Sequence, residues 1–231
     1  MQILAGTSGF SYKAWKGNFY PADLPDTRML EFYAGQLPSV EINNTFYRMP
    51  SAKTVSRWQQ VVPDEFRFVL KATRRISHFS RLRADDELLE YLFGVTAELG
   101  SRLGAHLVQM PPYAKKDIEA LRAFLQRVAK GDRVAFEFRN ESWFDADVYE
   151  ALREFDSALV IADGGKVEVP LVATASWGYL RLRRDGYDAA ALDEWRDRIR
   201  DMPWTEAFVF FKHEDDGAGP RMARAMLGLD A

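Results

Sequence analysis

The chain contains no cysteine, which excludes disulfides, thiolate metal sites and cysteine nucleophiles. Histidine is scarce at three residues, and no H-x-H, H-E-x-x-H or close Asp/His cluster occurs, so any metal site has to be assembled from distant residues. No run of about 18 apolar residues is present, which argues against membrane spans. The opening residues MQILAGTSGF have neither a basic stretch nor a long apolar segment, so no secretory signal is expected and the cytoplasm is the expected compartment. Charge of one sign is also missing. With 31 Lys and Arg against 34 Asp and Glu, the net charge is −3 and the pI near 5.7. A nucleic-acid partner would therefore need a local basic face.

What is present is a rhythm. Short β-branched or aromatic runs recur at 2–6, 39–43, 67–71, 105–109, 134–139, 158–163, 179–183 and 207–212. Helical spacing fills most of the gaps, at 27–37, 52–62, 85–99, 117–130, 145–155, 190–202 and 219–229. Ser51, Asp85 and Asp145 stand where N-caps are expected. Eight strands alternating with helices predict parallel pairing, and a chain of 231 residues suits one compact (β/α)8 TIM barrel over residues 1–231. The interval 164–178 contains Pro170 and is too short for a covering helix, so the sixth helix is expected to be missing or vestigial. An open doubly wound sheet is the competing architecture. It would carry a G-x-G-x-x-G turn after the first strand, where this chain reads Gly6-Thr7-Ser8-Gly9-Phe10-Ser11.

Nearly every expected strand ends in polar residues: Ser8, Glu41 with Asn43, Lys71, Gln109, Glu137 with Arg139, Asp163, Arg181 with Arg183, and Lys212 with His213. Strand side chains alternate with period two, so Glu41/Asn43, Glu137/Arg139 and Arg181/Arg183 each point one way, and Phe136/Phe138 and Leu180/Leu182 the other. The apolar members are expected to face the helices and the charged ones to crowd the C-terminal mouth of the barrel, where barrel enzymes build their sites. An internal ion-pair network is the competing reading. Stability alone rarely requires one, because replacing a whole buried pair by apolar groups is often neutral or better.

Five segments carry a resemblance: Gly6-Thr7-Ser8-Gly9-Phe10-Ser11-Tyr12, Val40-Glu41-Ile42-Asn43-Asn44-Thr45-Phe46-Tyr47, Gln109-Met110-Pro111-Pro112, Glu137-Phe138-Arg139 followed by Ser142-Trp143, and Phe210-Phe211-Lys212-His213. In this order they resemble the family called domain of unknown function 72, the YecE-like proteins. The resemblance implies a TIM-barrel fold and no established reaction. The family often has histidine where this chain has Asn140, and serine where it has Asn44. A catalytic histidine at 140 is thereby excluded.

Read as chemistry, Glu41, Glu137 and Asp163 are the candidate acids or bases, with Glu137 first. Lys71, Arg139, Arg181 and Lys212 are the cations able to hold an anionic group. Ser8, Asn43, Gln109 and His213 complete the polar set. Tyr12, Phe46, Tyr47 and Trp143 offer flat faces to a sugar or base, or else pack loops together. The expectation is an enzyme acting on a small polar or anionic substrate, such as a sugar, sugar phosphate or nucleotide-like compound, with no cofactor. Glycosidic hydrolysis would need two carboxyl groups about 5–5.5 Å or 6.5–9.5 Å apart. One alternative is a metal-dependent isomerase or phosphoesterase holding a divalent metal with Glu41, Glu137, Asp163 and His213. Another is a non-catalytic binding protein for nucleic acid or a phosphorylated partner. That reading uses the loop 71–83, with five Lys or Arg, no acid, and Phe79 for stacking. A solvated loop balanced by Asp85, Asp86 and Glu87 is the plainer account of the same residues.

Overall fold

The computed structural model describes residues 1–128 and 131–229. Eight parallel strands, β1 (Gln2–Ser8), β2 (Ser39–Ile42), β3 (Arg67–Lys71), β4 (Leu103–Gln109), β5 (Val134–Glu137), β6 (Ala158–Asp163), β7 (Trp177–Leu182) and β8 (Glu206–Phe211), pair in sequence order. β8 returns to β1 with a register running from Gln2 opposite Glu206 to Thr7 opposite Phe211, which closes the barrel and removes both sheet edges. This pairing rules out the open sheet.

Among the described residues, seven α-helices lie between or after the strands: α1 (Met29–Ala34), α2 (Ala52–Gln60), α3 (Asp86–Ala97), α4 (Ile118–Val128), α5 (Ala146–Glu154), α6 (Ala189–Arg200) and α7 (Ala218–Met226). Their starts follow the local chemistry. Ser51 accepts from the Thr54 amide at 3.2 Å and Asp85 from the Leu88 amide at 2.8 Å, while Asp145 caps through the adjacent Ala146 amide at 2.7 Å. The first helix is shorter than its sequence pattern, because residues Asp26–Arg28 form a 3-10 turn instead. Residues 129 and 130, expected to end the fourth helix, lie outside the described residues. No helix joins β6 to β7, as the short interval implied. Among the described residues, no helix is long and apolar enough to cross a membrane.

The period-two alternation divides the core in two. Outward residues such as Phe136, Phe138, Leu180 and Leu182 join the cluster beneath the helices. Inward residues Val69, Leu107, Ala135, Tyr179, Phe208 and Phe210 fill the barrel itself. Burying a side chain such as Phe208 contributes roughly 1.5–3 kcal/mol of transfer free energy. This apolar plug closes the lower barrel, so inward polar groups at the strand ends have nowhere to lie but the mouth.

Candidate functional site

Parallel register stacks the polar residues in one layer. Ser8 of β1 lies opposite Glu41 of β2, and Gln109 of β4 opposite Glu137 of β5. Arg181 reaches across from β7 between the two carboxylates, donating through Nη2 to Glu41 Oε1 at 2.8 Å and through Nη1 to Glu137 Oε2 at 2.5 Å. All three side chains are at most 3% exposed. Glu41 also accepts from Ser8 Oγ (2.7 Å), Asn43 Nδ2 (2.9 Å) and Tyr179 Oη (2.6 Å). Glu137 accepts in addition from Gln109 Nε2 (2.7 Å), Arg139 Nε (2.9 Å) and Arg183 Nη2 (3.2 Å). Gln109 Oε1 in turn accepts from Lys71 Nζ at 2.9 Å. A continuous polar chain therefore runs from Lys71 through Gln109 and Glu137 to Arg181 and Glu41.

The electrostatics follow from burial and partner count. Burial opposes the charge on both carboxylates, yet Arg181, joined by hydrogen bonds from Tyr179, Ser8 and Asn43 at Glu41 and by Arg139, Arg183 and Gln109 at Glu137, outweighs it, so both ionise more readily than usual and Glu137 lies far below the ordinary carboxylate range. Burial likewise opposes the charge on Arg181, and Glu41 with Glu137 reverses the balance. Cations around this core feel the opposite push. Lys71 is lowered to about 8, first by burial and then by Arg181. Arg183 is lowered by burial, with Arg181 and Arg139 adding to it despite Glu137. His78 is lowered by burial and by Lys71, Arg139 and Arg74. At all three groups burial leads and neighbouring cations add to it.

Of the expected site residues, Ser8, Glu41, Asn43, Lys71, Gln109, Glu137, Arg139 and Arg181 meet in this network. Phe46 lies beneath the Lys71 ammonium at 4.2 Å. The Tyr12 hydroxyl donates to the Ser8 carbonyl at 2.7 Å, and burial raises its pKa to about 12. Tyr47 is exposed at the rim, and Lys212, one residue beyond β8, is exposed as well.

Three expectations need correction. Asp163 shares the outward parity of Leu159 and Ile161, and accepts from Tyr187 Oη at 2.8 Å, away from the other carboxylates. His213 turns its Nε2 to the Arg184 carbonyl at 2.7 Å, outside the network. Trp143 is 1% exposed, stacks on Phe138 at 4.5 Å and donates to the Ala114 carbonyl at 2.8 Å, so it packs the fifth loop and shows no face to a ligand. With Asp163 and His213 elsewhere, the four residues considered as metal ligands do not come together. Among the described residues no other group of His, Asp or Glu forms such a set. Asn140, at the position of the family's frequent histidine, donates to the Pro112 carbonyl at 2.8 Å and accepts from the Ser142 amide at 3.1 Å, which makes it a loop-fixing residue.

Sequence reasoning passed over Tyr179 and His78. Tyr179 was legible by parity, being two residues before Arg181. His78 was not, because it is aimed at Phe46 (ring centres 5.0 Å apart) by a single π-helical turn at Arg75–Phe79. No composition signal marks such a turn.

The family model described as "Protein of unknown function DUF72" matches residues 4–229. The chain belongs to the DUF72 family. UPF0759 protein YunF of Bacillus subtilis is 28% identical over 253 residues, spanning 92% of this chain and 90% of YunF. UPF0759 protein YecE of Escherichia coli K12 is 32% identical over 116 residues, a match covering 50% of this chain and 43% of YecE. Crystal structures of DUF72 family proteins from Thermotoga maritima and Enterococcus faecalis superpose with TM-scores of 0.81 and 0.82. Each has 23% identity and is matched over 99% of this chain, with 99% and 95% of the respective neighbours covered. These neighbours share the DUF72 barrel fold.

Proposed function

We propose that the mouth of this DUF72 barrel is an enzyme site for a small polar or anionic molecule, of the sugar, sugar phosphate or nucleotide-like kind, with Lys71 as the group that takes and returns a proton. The supporting observation is the setting of Lys71: an amine at a strand end, held between Gln109 and the Phe46 ring, and lowered to about 8 by burial and Arg181. Such an amine is partly neutral near physiological pH and still able to protonate. Glu137 is unsuited to that work. A carboxylate saturated by Gln109 and three guanidinium groups is too weak a base to accept a proton and is never protonated to give one. The carboxylates instead hold Arg181 in place and set the field that keeps Lys71 poised.

The test is turnover of a panel of phosphorylated and unphosphorylated sugars by the wild type and Lys71→Met. The expected result is an activity whose kcat/KM rises with pH through about 8 and falls by at least about 100-fold in the variant. Turnover retained in Lys71→Met overturns the assignment.

A second reading, as a nucleic-acid binding protein, draws support from the rim. Arg74 lies over both Tyr47 (5.9 Å) and Phe79 (5.3 Å), Arg81 lies over Tyr113 (5.7 Å), and all three rings are exposed. Exposed rings interleaved with guanidinium groups suit stacked bases. Binding of a labelled single-stranded oligonucleotide that weakens steeply with salt and with Arg74→Ala supports this reading. Absence of binding at low salt removes it.

A further inference from the structure

A cavity of about 310 Å³ opens beside Glu137 under the segment that joins β6 to β7. Its charged lining is Arg139, Arg183, Lys166 and Glu137, and the backbone of Gly164 and Gly165 forms part of its wall. The missing sixth helix creates this wall. Without a helix to carry the chain outward, the segment after Asp163 turns back over the strand ends. Gly164 makes the turn at φ +80°, where a Cβ would come within 2.6 Å of the Arg184 amide nitrogen. Close backbone approach of this kind brings the Gly-Gly peptide and the exposed Lys166 over Arg183, with the ideal Cβ position of Gly165 3.8 Å from Arg183 Nη2.

The charge in this cavity is unbalanced. Three cations face one carboxylate, and that carboxylate is already spent on Arg181, Gln109, Arg139 and Arg183. Among the described residues, Arg139 uses only Nε and Arg183 only Nη2 in hydrogen bonds, and Lys166 has no partner. Nε of Arg183 is buried without an acceptor. The unused guanidinium nitrogens of Arg139 and Arg183 and the Lys166 ammonium are donors for which, among the described residues, the chain supplies no acceptor.

We infer that this cavity is an oxyanion subsite that holds the phosphate monoester end of the substrate, gripped by Arg139, Arg183 and Lys166. The inference rests on the reading of the mouth as a small-molecule site and narrows its substrate class to phosphorylated compounds. Guanidinium forks match phosphoryl oxygens in pairs, and a lysine on the covering loop supplies a third, movable charge. At about 310 Å³ the cavity has room for a phosphate together with a small attached group such as a sugar ring. Through Gln109, Glu137 links the wall of this cavity to Lys71.

Isothermal titration with inorganic phosphate tests the subsite without any knowledge of the reaction. Expected is saturable one-site binding in the wild type, weakened about 5-fold or more by Lys166→Ala and about 10-fold or more by Arg183→Met. Sodium acetate at equal ionic strength is expected to bind at least about 10-fold more weakly than phosphate. Phosphate binding is read without turnover, so a failed proton-transfer assignment leaves this result standing. Absence of saturable binding overturns the inference, as does unchanged affinity in Lys166→Ala, an exposed substitution that leaves the fold intact. Equal affinity for acetate overturns the phosphate assignment.

Discussion

The ammonium of Lys71 stands 4.2 Å from the centre of the Phe46 ring, and that ring comes from the loop after the neighbouring strand. The contact fixes a flexible side chain over a flat apolar face and removes water from one side of the amine. Burial of this kind gives an amine a folded-state pKa below its unfolded value.

The sign of the resulting pH dependence is set by proton counting. Between about 8 and 10.5 the unfolded chain keeps the Lys71 proton that the folded chain has released, so stability rises with pH across that window relative to Lys71→Met. Denaturant unfolding of both proteins from pH 7 to 10 is expected to show their difference moving in favour of the wild type as pH increases. A difference constant with pH would contradict the desolvated amine.

The carboxylates give a slope of the same sign in a lower pH window. Glu41 and Glu137 ionise more readily folded than unfolded, so their contribution is complete above the unfolded value near 4.5 and is lost as pH falls below it. Acid titration of the wild type followed by near-ultraviolet circular dichroism is expected to show cooperative loss of structure well below pH 4.5. Retained tertiary signal at the lowest pH would argue against the network as a stabilising unit.

Glu137→Gln removes the charge that three guanidinium groups share. The loss of one partner of a buried pair costs about 3–5 kcal/mol, and here Arg181 has almost no access to water in compensation. Urea unfolding at neutral pH is expected to register a penalty of that size. The substitution is therefore a poor probe of catalysis, and a near-native stability would show that the arginines find other partners.

Trp143→Ala separates packing from binding. Removal of a 1% exposed indole stacked on Phe138 is expected to cost about 3–5 kcal/mol and to leave phosphate affinity unchanged. Weakened phosphate binding at full stability would return Trp143 to the site.

Much of this was legible because two periods carry most of the information. Alternation along 179–183 already placed Arg181 and Arg183 on the side opposite Leu180 and Leu182, and the recurrence of eight such runs implied closure. Asp163 went astray for the same reason that Glu137 did not: it sits one residue out of phase with the inward members of β6, and an acid at a strand end invites notice whichever way it points. Trp143 was ambiguous in sequence because an aromatic loop residue suits a ligand or a neighbouring Phe equally. The cavity beside Glu137 was hidden, since the short β6–β7 interval showed that a helix was missing but not where the spare chain would go.

Arg181 ties together β2, β5 and β7, no two of which are neighbours in the ring. A strut of this sort braces the cylinder against flattening at its open end. Any adaptation to a bound molecule would then fall to the surrounding loops, while the braced wall beneath them keeps its shape.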